Sequence, residues 1–118
     1  MEIKGASILI VDDEESIRQV MVDFFTIFGA EIFTAVNSDA ALDIIKEEKV
    51  DLIISDQDMP PGPSGIELLV EVKQYYKHIV FILISAYNLK KEAEMAGADA
   101  FLQKRFSLSK LKEAVEKL

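Results

Sequence analysis

Residues 53–60 read Ile-Ile-Ser-Asp-Gln-Asp-Met-Pro, and this stretch decides the fold. The apolar run over residues 52–54 is typical of a strand that is buried on both faces. Asp56 follows the run, and the only prolines of the chain lie within residues 60–63, which predicts a stiff loop. Ligand-binding groups of open α/β sheets lie beyond the carboxyl ends of the strands. The sequence therefore predicts a functional carboxylate at Asp56.

Similar apolar runs recur on both sides of this stretch and predict further strands. The predicted strands are Ile8–Val11, Glu31–Ala35, Leu52–Ser55, Ile79–Ile84 and Ala100–Gln103. Apolar residues at helical spacing separate them and predict five helices, of which the first should be stopped at Gly29. That helix should carry its apolar residues on one face, at Ile17, Val20, Met21, Phe24 and Phe28.

Capping signals mark the remaining helices. Asn37 or Ser38 can cap the second helix, and Ser64 with Glu67 has the spacing of a capping box at the start of the third. The fourth helix is predicted to be short, over residues 90–96, and the fifth should bury Leu108, Leu111, Val115 and Leu118.

Strands that alternate with helices predict a single α/β domain over residues 1–118, with helices on both faces of a parallel sheet. The best-fitting strand order is the flavodoxin-like, doubly wound 2-1-3-4-5. In that order the first and third strands are neighbours, so Asp12, Asp13 and Asp56 should converge at one edge of the sheet. Ser85 and Lys104 end the next two strands at the same edge.

The composition excludes several classes of function. The chain has a net charge of −8, which argues against binding of nucleic acid by this domain itself. It has no cysteine, so a disulfide framework or a thiol nucleophile is impossible. No apolar run is long enough to cross a membrane, and the N-terminal residues lack a signal segment. A cytoplasmic protein is expected.

The residues at the sheet edge predict chemistry on a phosphoryl group. A cluster of carboxylates without histidine or cysteine suits a hard cation such as Mg²⁺. Lys104 offers a point positive charge and Ser85 a hydroxyl, and both can contact an anionic phosphoryl group. Asp56 is then a candidate nucleophile that would form an acyl phosphate.

These residues carry a resemblance to the receiver domains of two-component response regulators, and it extends over essentially the whole chain. Each matching fragment is weak alone, but the four in order at these spacings are specific. They are Leu9 to Glu14, Asp56 with Met59-Pro60, Ser85-Ala86, and Phe101 before Lys104.

The resemblance implies a role for each of these residues. Asp56 would accept a phosphoryl group from a sensor histidine kinase or phosphotransfer protein. Mg²⁺ would be held by Asp12, Asp13, Asp56 and the backbone carbonyl of Asp58. Ser85 and Lys104 would contact the phosphoryl oxygens, and Phe101 would be the switch aromatic. The output partner or effector domain is not specified. Such a protein is not an enzyme on other substrates, because it catalyses only its own phosphorylation and dephosphorylation.

The sequence also departs from the family pattern. Arg105 follows the lysine where proline, usually after a cis bond, is typical, so the Lys104–Arg105 bond is either a strained cis bond or trans. The interval from Ser85 to Lys104 is a few residues shorter than in the chemotaxis member of the family. Asp58 and Tyr87 each lie two residues after a site residue, where they are predicted to tune the lifetime of the phosphoryl group.

Other interpretations stay open at this point. The acidic run after Val11 could merely complement the N-terminus of a helix. The chain could be a degenerate receiver that binds proteins independently of phosphorylation, a view that Arg105 favours. The Asp56-Gln57-Asp58 sequence also resembles the nucleophile motif of haloacid-dehalogenase-like phosphatases, but there the motif follows the first strand and the chains are longer.

Overall fold

The computed structural model describes all 118 residues, in which strands and helices alternate from end to end. The strands are β1 (Ser7–Val11), β2 (Glu31–Ala35), β3 (Leu52–Asp56), β4 (Val80–Ser85) and β5 (Ala100–Gln103). The helices are α1 (Glu15–Ile27), α2 (Ser38–Glu47), α3 (Gly65–Tyr75), α4 (Lys90–Met95) and α5 (Leu108–Glu116). None of these helices has the length and apolar character needed to cross a membrane.

The five strands form one parallel sheet in the order β2-β1-β3-β4-β5, as predicted. In the register of the sheet, Val11 of β1 lies beside Ser55 of β3, and Asp56 lies beside Ile84 of β4. The carboxyl ends of β1, β3 and β4 therefore meet at one edge, which places the residues that follow them close together.

The sheet separates two apolar cores, which explains why its central strands are apolar over residues 8–11, 52–54 and 80–84. Leu9 and Val11 of β1 face the core formed with α2, α3 and α4, while Ile8 and Ile10 face the core formed with α1 and α5. Successive side chains of a strand point to opposite faces, so a strand covered on both sides must be apolar at every position.

The caps of the helices follow the predicted signals. Asn37 caps α2 by accepting a hydrogen bond from the backbone N–H of Ala40, at 2.8 Å. Ser64 and Glu67 form the capping box of α3. Gly29 lies just beyond the C-cap of α1 with a φ of +88°, a conformation that L side chains rarely adopt.

The predicted buried face of α1 is only partly correct. Val20 is 52% exposed and Phe28 is 39% exposed, whereas Met21 and Phe25 are the residues that the sheet buries. Phe24 and Phe25 are adjacent, so either could be assigned to the core by spacing alone. The structure buries the one that lies on the same face as Met21.

Asp99 links three elements on the α3 side of the sheet. Its Oδ2 accepts a hydrogen bond from the backbone N–H of Phe81 at 2.8 Å and from Nζ of Lys73 at 2.6 Å. Nζ of Lys73 also donates to the carbonyl oxygen of Ile79 at 2.8 Å. These contacts hold the start of β5 against α3 and β4.

We expect Asp99→Ala to lower the free energy of unfolding by about 2 kcal/mol, because it removes a charged acceptor and leaves the Phe81 N–H without a partner. Urea denaturation of the two proteins measures this. Asp99→Asn keeps an acceptor and should cost less. Equal losses in the two variants would contradict the assigned hydrogen bond to Phe81.

Candidate functional site

Asp12 is held in place by backbone contacts immediately after β1. Its N–H donates to the carbonyl oxygen of Ala35 at 3.1 Å, and its Oδ1 accepts from the N–H of Glu14 at 2.9 Å. Nη1 of Arg18, on the first turns of α1, donates to the Asp12 carbonyl oxygen at 2.7 Å. Asp12 is only 2% exposed, and these contacts on its backbone and carboxylate hold it in place.

Asp56 is the last residue of β3, and its side chain lies at the carboxyl edge of the sheet. It is 5% exposed. Gly65 packs directly behind it, because a Cβ at this position would lie 2.4 Å from the Asp56 carbonyl oxygen. The backbone of Asp56 is therefore pressed between β4 and the start of α3.

The predicted convergence of three aspartates occurs. Oxygen atoms of Asp12, Asp13 and Asp56 all lie within 4.8 Å of one another, and of the three only Asp13 is exposed. Nζ of Lys104 lies 3.2 Å from Oδ1 of Asp56 in an ion pair. The approach does not have hydrogen-bond geometry, so this buried oxygen has no hydrogen-bond partner.

Burial sets the electrostatics of the cluster. Desolvation raises the pKa of Asp12 to about 6; the Glu14 N–H opposes this shift, and the charge of Asp56 adds to it. Desolvation also raises the pKa of Asp56, although Lys104 opposes the rise. Desolvation lowers the pKa of Lys104, but the close contact with the negatively charged Asp56 outweighs it, and the net shift of the pKa is upward. The hydrogen bonds and the positive charge that the protein supplies therefore offset only part of the cost of burying these carboxylates.

Lys104 and Ser85 are positioned by the ends of β4 and β5. The N–H of Lys104 donates to the carbonyl oxygen of Ser85 at 2.8 Å, and the Lys104–Arg105 peptide bond is cis. Ser85 is fully buried, and its hydroxyl oxygen accepts a hydrogen bond from the N–H of Tyr87 at 3.0 Å. Both side chains predicted to contact a phosphoryl group therefore lie at the same edge as Asp56.

The donor set suits a hard divalent cation. All three side chains offer carboxylate oxygens, as Mg²⁺ requires, and neither histidine nor cysteine is among them. Oδ1 of Asp56 accepts no hydrogen bond, and burial raises the pKa of Asp12, so a bound cation would favour the charged form of both carboxylates. The residues present therefore fit Mg²⁺.

The remaining predicted residues surround this cluster. Asp58 and Tyr87 are both exposed, Tyr87 by 69%. Phe101 is half-buried and packs against the core on the α3 side. A cavity of about 480 Å³ opens beside Asp12 and Lys104 and is walled mainly by apolar side chains of α1 and the segment before α5.

Sequence reasoning did not identify two residues that shape the site. Arg18 holds the Asp12 carbonyl, and its position one turn into α1 after the acidic run was the signal available. Gln57 contacts the start of α3, a contact that depends on where α3 begins in space. Neither residue belongs to a recognisable motif.

Comparisons with known proteins agree with this geometry. A family model for the response regulator receiver domain matches residues 8–116. Sporulation initiation phosphotransferase F of Bacillus subtilis is 35% identical over 113 residues, which cover 93% of this chain and 90% of the relative. The crystal structure of response regulator TrrA from Thermotoga maritima, in complex with Mg²⁺ and BeF, is 36% identical. It matches with a TM-score of 0.87 over 95% of this chain and 97% of that chain.

Other relatives are much longer than this chain. Response regulator protein FleR of Pseudomonas aeruginosa is 32% identical over 114 residues, which are 94% of this chain but 24% of FleR. The matched region thus occurs both in relatives of similar length and as part of larger regulators. The family match runs from β1 into α5 and takes in the whole acidic edge of the sheet. This chain therefore belongs to the response regulator receiver domain family, the phosphoacceptor signalling module of two-component systems.

Proposed function

We propose that this chain is a phosphorylatable switch in which Asp56 accepts a phosphoryl group from a phosphohistidine on a sensor histidine kinase or phosphotransfer protein. The observation that carries the proposal is the buried Oδ1 of Asp56. It accepts no hydrogen bond, and it lies 3.2 Å from Nζ of Lys104. A carboxylate oxygen of Asp56 also lies within 4.8 Å of oxygens of Asp12 and Asp13. A nucleophile beside a cation and a cluster of metal-ligating oxygens is suited to phosphoryl transfer.

In this step an oxygen of Asp56 attacks phosphorus and forms a new P–O bond. The bond from phosphorus to the donor's imidazole nitrogen breaks, and the electron pair leaves with the imidazole. The Lys104 ammonium lies close enough to Oδ1 to stabilise negative charge on the transferring group. Because Asp56 is deeply buried, its charge interactions are weakly screened by water.

Asp12, Asp13 and Asp56 would hold Mg²⁺ with the backbone carbonyl of Asp58. When bound, the ion supplies charge neutralisation to the acceptor and to the transferring group. The protein prepares for this by fixing Asp12 through Glu14 and Arg18. The Thermotoga structure with Mg²⁺ and BeF supports the assignment.

Phosphorylation would then alter the surface beside β5. The product carries about −1.5 to −2 charges and three acceptor oxygens, which attract Lys104 and the hydroxyl of Ser85. Ser85 is buried, and its hydroxyl oxygen now accepts from Tyr87 N–H, so its movement releases that contact and vacates space. Phe101 lies in β5 beside Leu83 of β4 and is half-buried. Its ring would move into the space that Ser85 leaves and so signal to an output partner.

Asp58 and Tyr87 are proposed to tune how long the signal lasts. Both side chains are exposed, each two residues beyond a site residue, where they can affect the approach of water to the acyl phosphate. The role extends no further than this chain's own phosphorylation and hydrolysis, so the protein is proposed not to act as an enzyme on other substrates.

Incubation with acetyl phosphate and Mg²⁺, followed by intact mass measurement, tests the proposal. We expect a mass increase of one phosphoryl group that requires Mg²⁺ and that peptide mapping assigns to Asp56. Beryllofluoride with Mg²⁺ should shift the amide resonances around Ser85 and Phe101. A protein that neither takes up phosphate nor responds to beryllofluoride would instead be a degenerate, phosphorylation-independent binding module.

A further inference from the structure

Gln57 lies between Asp56, the last residue of β3, and Asp58, and it makes contacts with β4 and α3 that the sequence motifs do not predict. Its N–H donates to the carbonyl oxygen of Ile84 at 2.8 Å and so continues the ladder between β3 and β4. Its carbonyl oxygen accepts from the N–H of Gly65 at 3.0 Å, and its side-chain Oε1 accepts from the N–H of Ile66 at 2.8 Å. A backbone N–H can only donate, so the side-chain atom facing Ile66 is the amide oxygen.

These contacts make Gln57 the principal cap of α3. The first turn of a helix leaves its N–H groups without partners inside the helix. In α3, Gln57 satisfies the N–H groups of Gly65 and Ile66, and Ser64 satisfies that of Glu67 at 3.2 Å. The loop of residues 58–64 is therefore closed by one residue that is bonded to β4 on one side and to α3 on the other.

The closure bears directly on the site, because Gln57 lies between Asp56 and Asp58 in the chain. One of its two peptide groups carries the Asp56 carbonyl, and the other carries the Asp58 N–H. The fit is tight: a Cβ at Gly65 would lie 2.4 Å from the Asp56 carbonyl oxygen and 3.0 Å from Cα of Gln57. Rotation of the 56–57 peptide would break the hydrogen bond from the Gln57 N–H to Ile84. Rotation of the 57–58 peptide would break the hydrogen bond that the Gln57 carbonyl oxygen accepts from Gly65.

We propose that Gln57 is a positioning residue for the metal and phosphoryl site. Its side-chain oxygen, which accepts from Ile66, together with its carbonyl oxygen, which accepts from Gly65, anchors to α3 the short segment that carries the Asp56 carboxylate and the Asp58 carbonyl. This inference rests on the proposed function, since it assumes that those groups bind Mg²⁺. Groups that orient metal ligands typically change the affinity for the metal by 10–100-fold when they are removed.

Mg²⁺ affinity, measured by NMR titration of the unphosphorylated protein, tests the proposal. Gln57→Met keeps the length of the side chain but removes the acceptor, and we expect its Mg²⁺ affinity to fall by about tenfold or more. Gln57→Glu restores an acceptor to Ile66 and should bind Mg²⁺ no more weakly than the wild type. Should Gln57→Met fail to fold, Gln57→Asn, whose amide is one methylene shorter, serves the same purpose.

Ser64→Ala is the matched control, since it removes the other side-chain cap of α3 without touching the peptides beside Asp56. It should lower stability in urea yet leave Mg²⁺ affinity unchanged. If Ser64→Ala and Gln57→Met weakened Mg²⁺ affinity equally, Gln57 would merely stabilise the helix and the proposal would be wrong. An unchanged Mg²⁺ affinity in Gln57→Met would also overturn it. A wild-type protein that binds no Mg²⁺ would overturn the proposed function as well, so the two failures are distinguishable.

Discussion

Asp56→Asn is expected to lose phosphoryl labelling by about a thousandfold or more, because the amide oxygen cannot replace the carboxylate as nucleophile. The same variant should be more stable than the wild type in the absence of metal. Asp56 has a raised pKa because burial disfavours its charge, and that penalty exceeds the stabilisation from Lys104. An uncharged side chain of the same shape avoids the penalty.

Labelling by acetyl phosphate with Mg²⁺ and urea denaturation in EDTA measure the two effects. Asp43→Asn provides the control, since it makes the same chemical change at an exposed position on α2 and should alter neither property. If Asp56→Asn still took up phosphate at the wild-type rate, another side chain would be the acceptor. If it were less stable in EDTA, the Lys104 ion pair would outweigh the cost of burial.

The stability of the metal-free protein should fall as the pH rises from about 4 to about 6. The pKa of Asp12 is raised from 3.8 to about 6 in the folded protein, so over this interval the folded state retains a proton that the unfolded chain has lost. Each further step in pH therefore favours unfolding. The full loss attributable to Asp12 is about 3 kcal/mol, and Asp56 acts in the same direction.

Urea denaturation in EDTA across this range, for the wild type and for Asp12→Asn, isolates the contribution. At each pH, the free energy of unfolding of Asp12→Asn is subtracted from that of the wild type, which removes the effect of the other carboxyl groups. This difference should fall as the pH rises. Added Mg²⁺ should reduce the loss at higher pH, since the ion favours the charged form of its ligands. A flat difference curve, or one that rises with pH, would mean that the Asp12 carboxylate is not destabilised by burial.

Much of the fold could be predicted because the physical signals are local. The central strands are apolar over residues 8–11, 52–54 and 80–84 since both faces of the sheet are covered there. The predicted bounds of β2 and β5 agree with those of the structure. Register then brings Asp12 and Asp56 together, as parallel strands in this order must. The side-chain cap at Asn37 and the capping box at Ser64 each depend on residues that lie within three positions of one another, so they could be predicted from the sequence.

What the sequence could not supply depends on distances across the fold. Val20 and Phe25 are both apolar residues of α1, and the sequence does not show which of them faces the core. The packing of α1 on the sheet buries Phe25 and leaves Val20 exposed. The contact between Gln57 and Ile66 requires α3 to begin directly beside the end of β3. The roles of Asp56, Ser85 and Lys104 stay predictions, since geometry alone does not show a reaction.

The short length of α4 has a consequence for its local stability. It has six residues, its N-cap provides no side-chain hydrogen bond, and Ala93 is its only buried residue. A helix this short cannot sustain itself in water, so its order derives from its neighbours and its opening free energy lies at the low end for the protein. We therefore expect α4 to unfold locally more readily than the other helices, which would change the surface that it covers while the sheet stays folded.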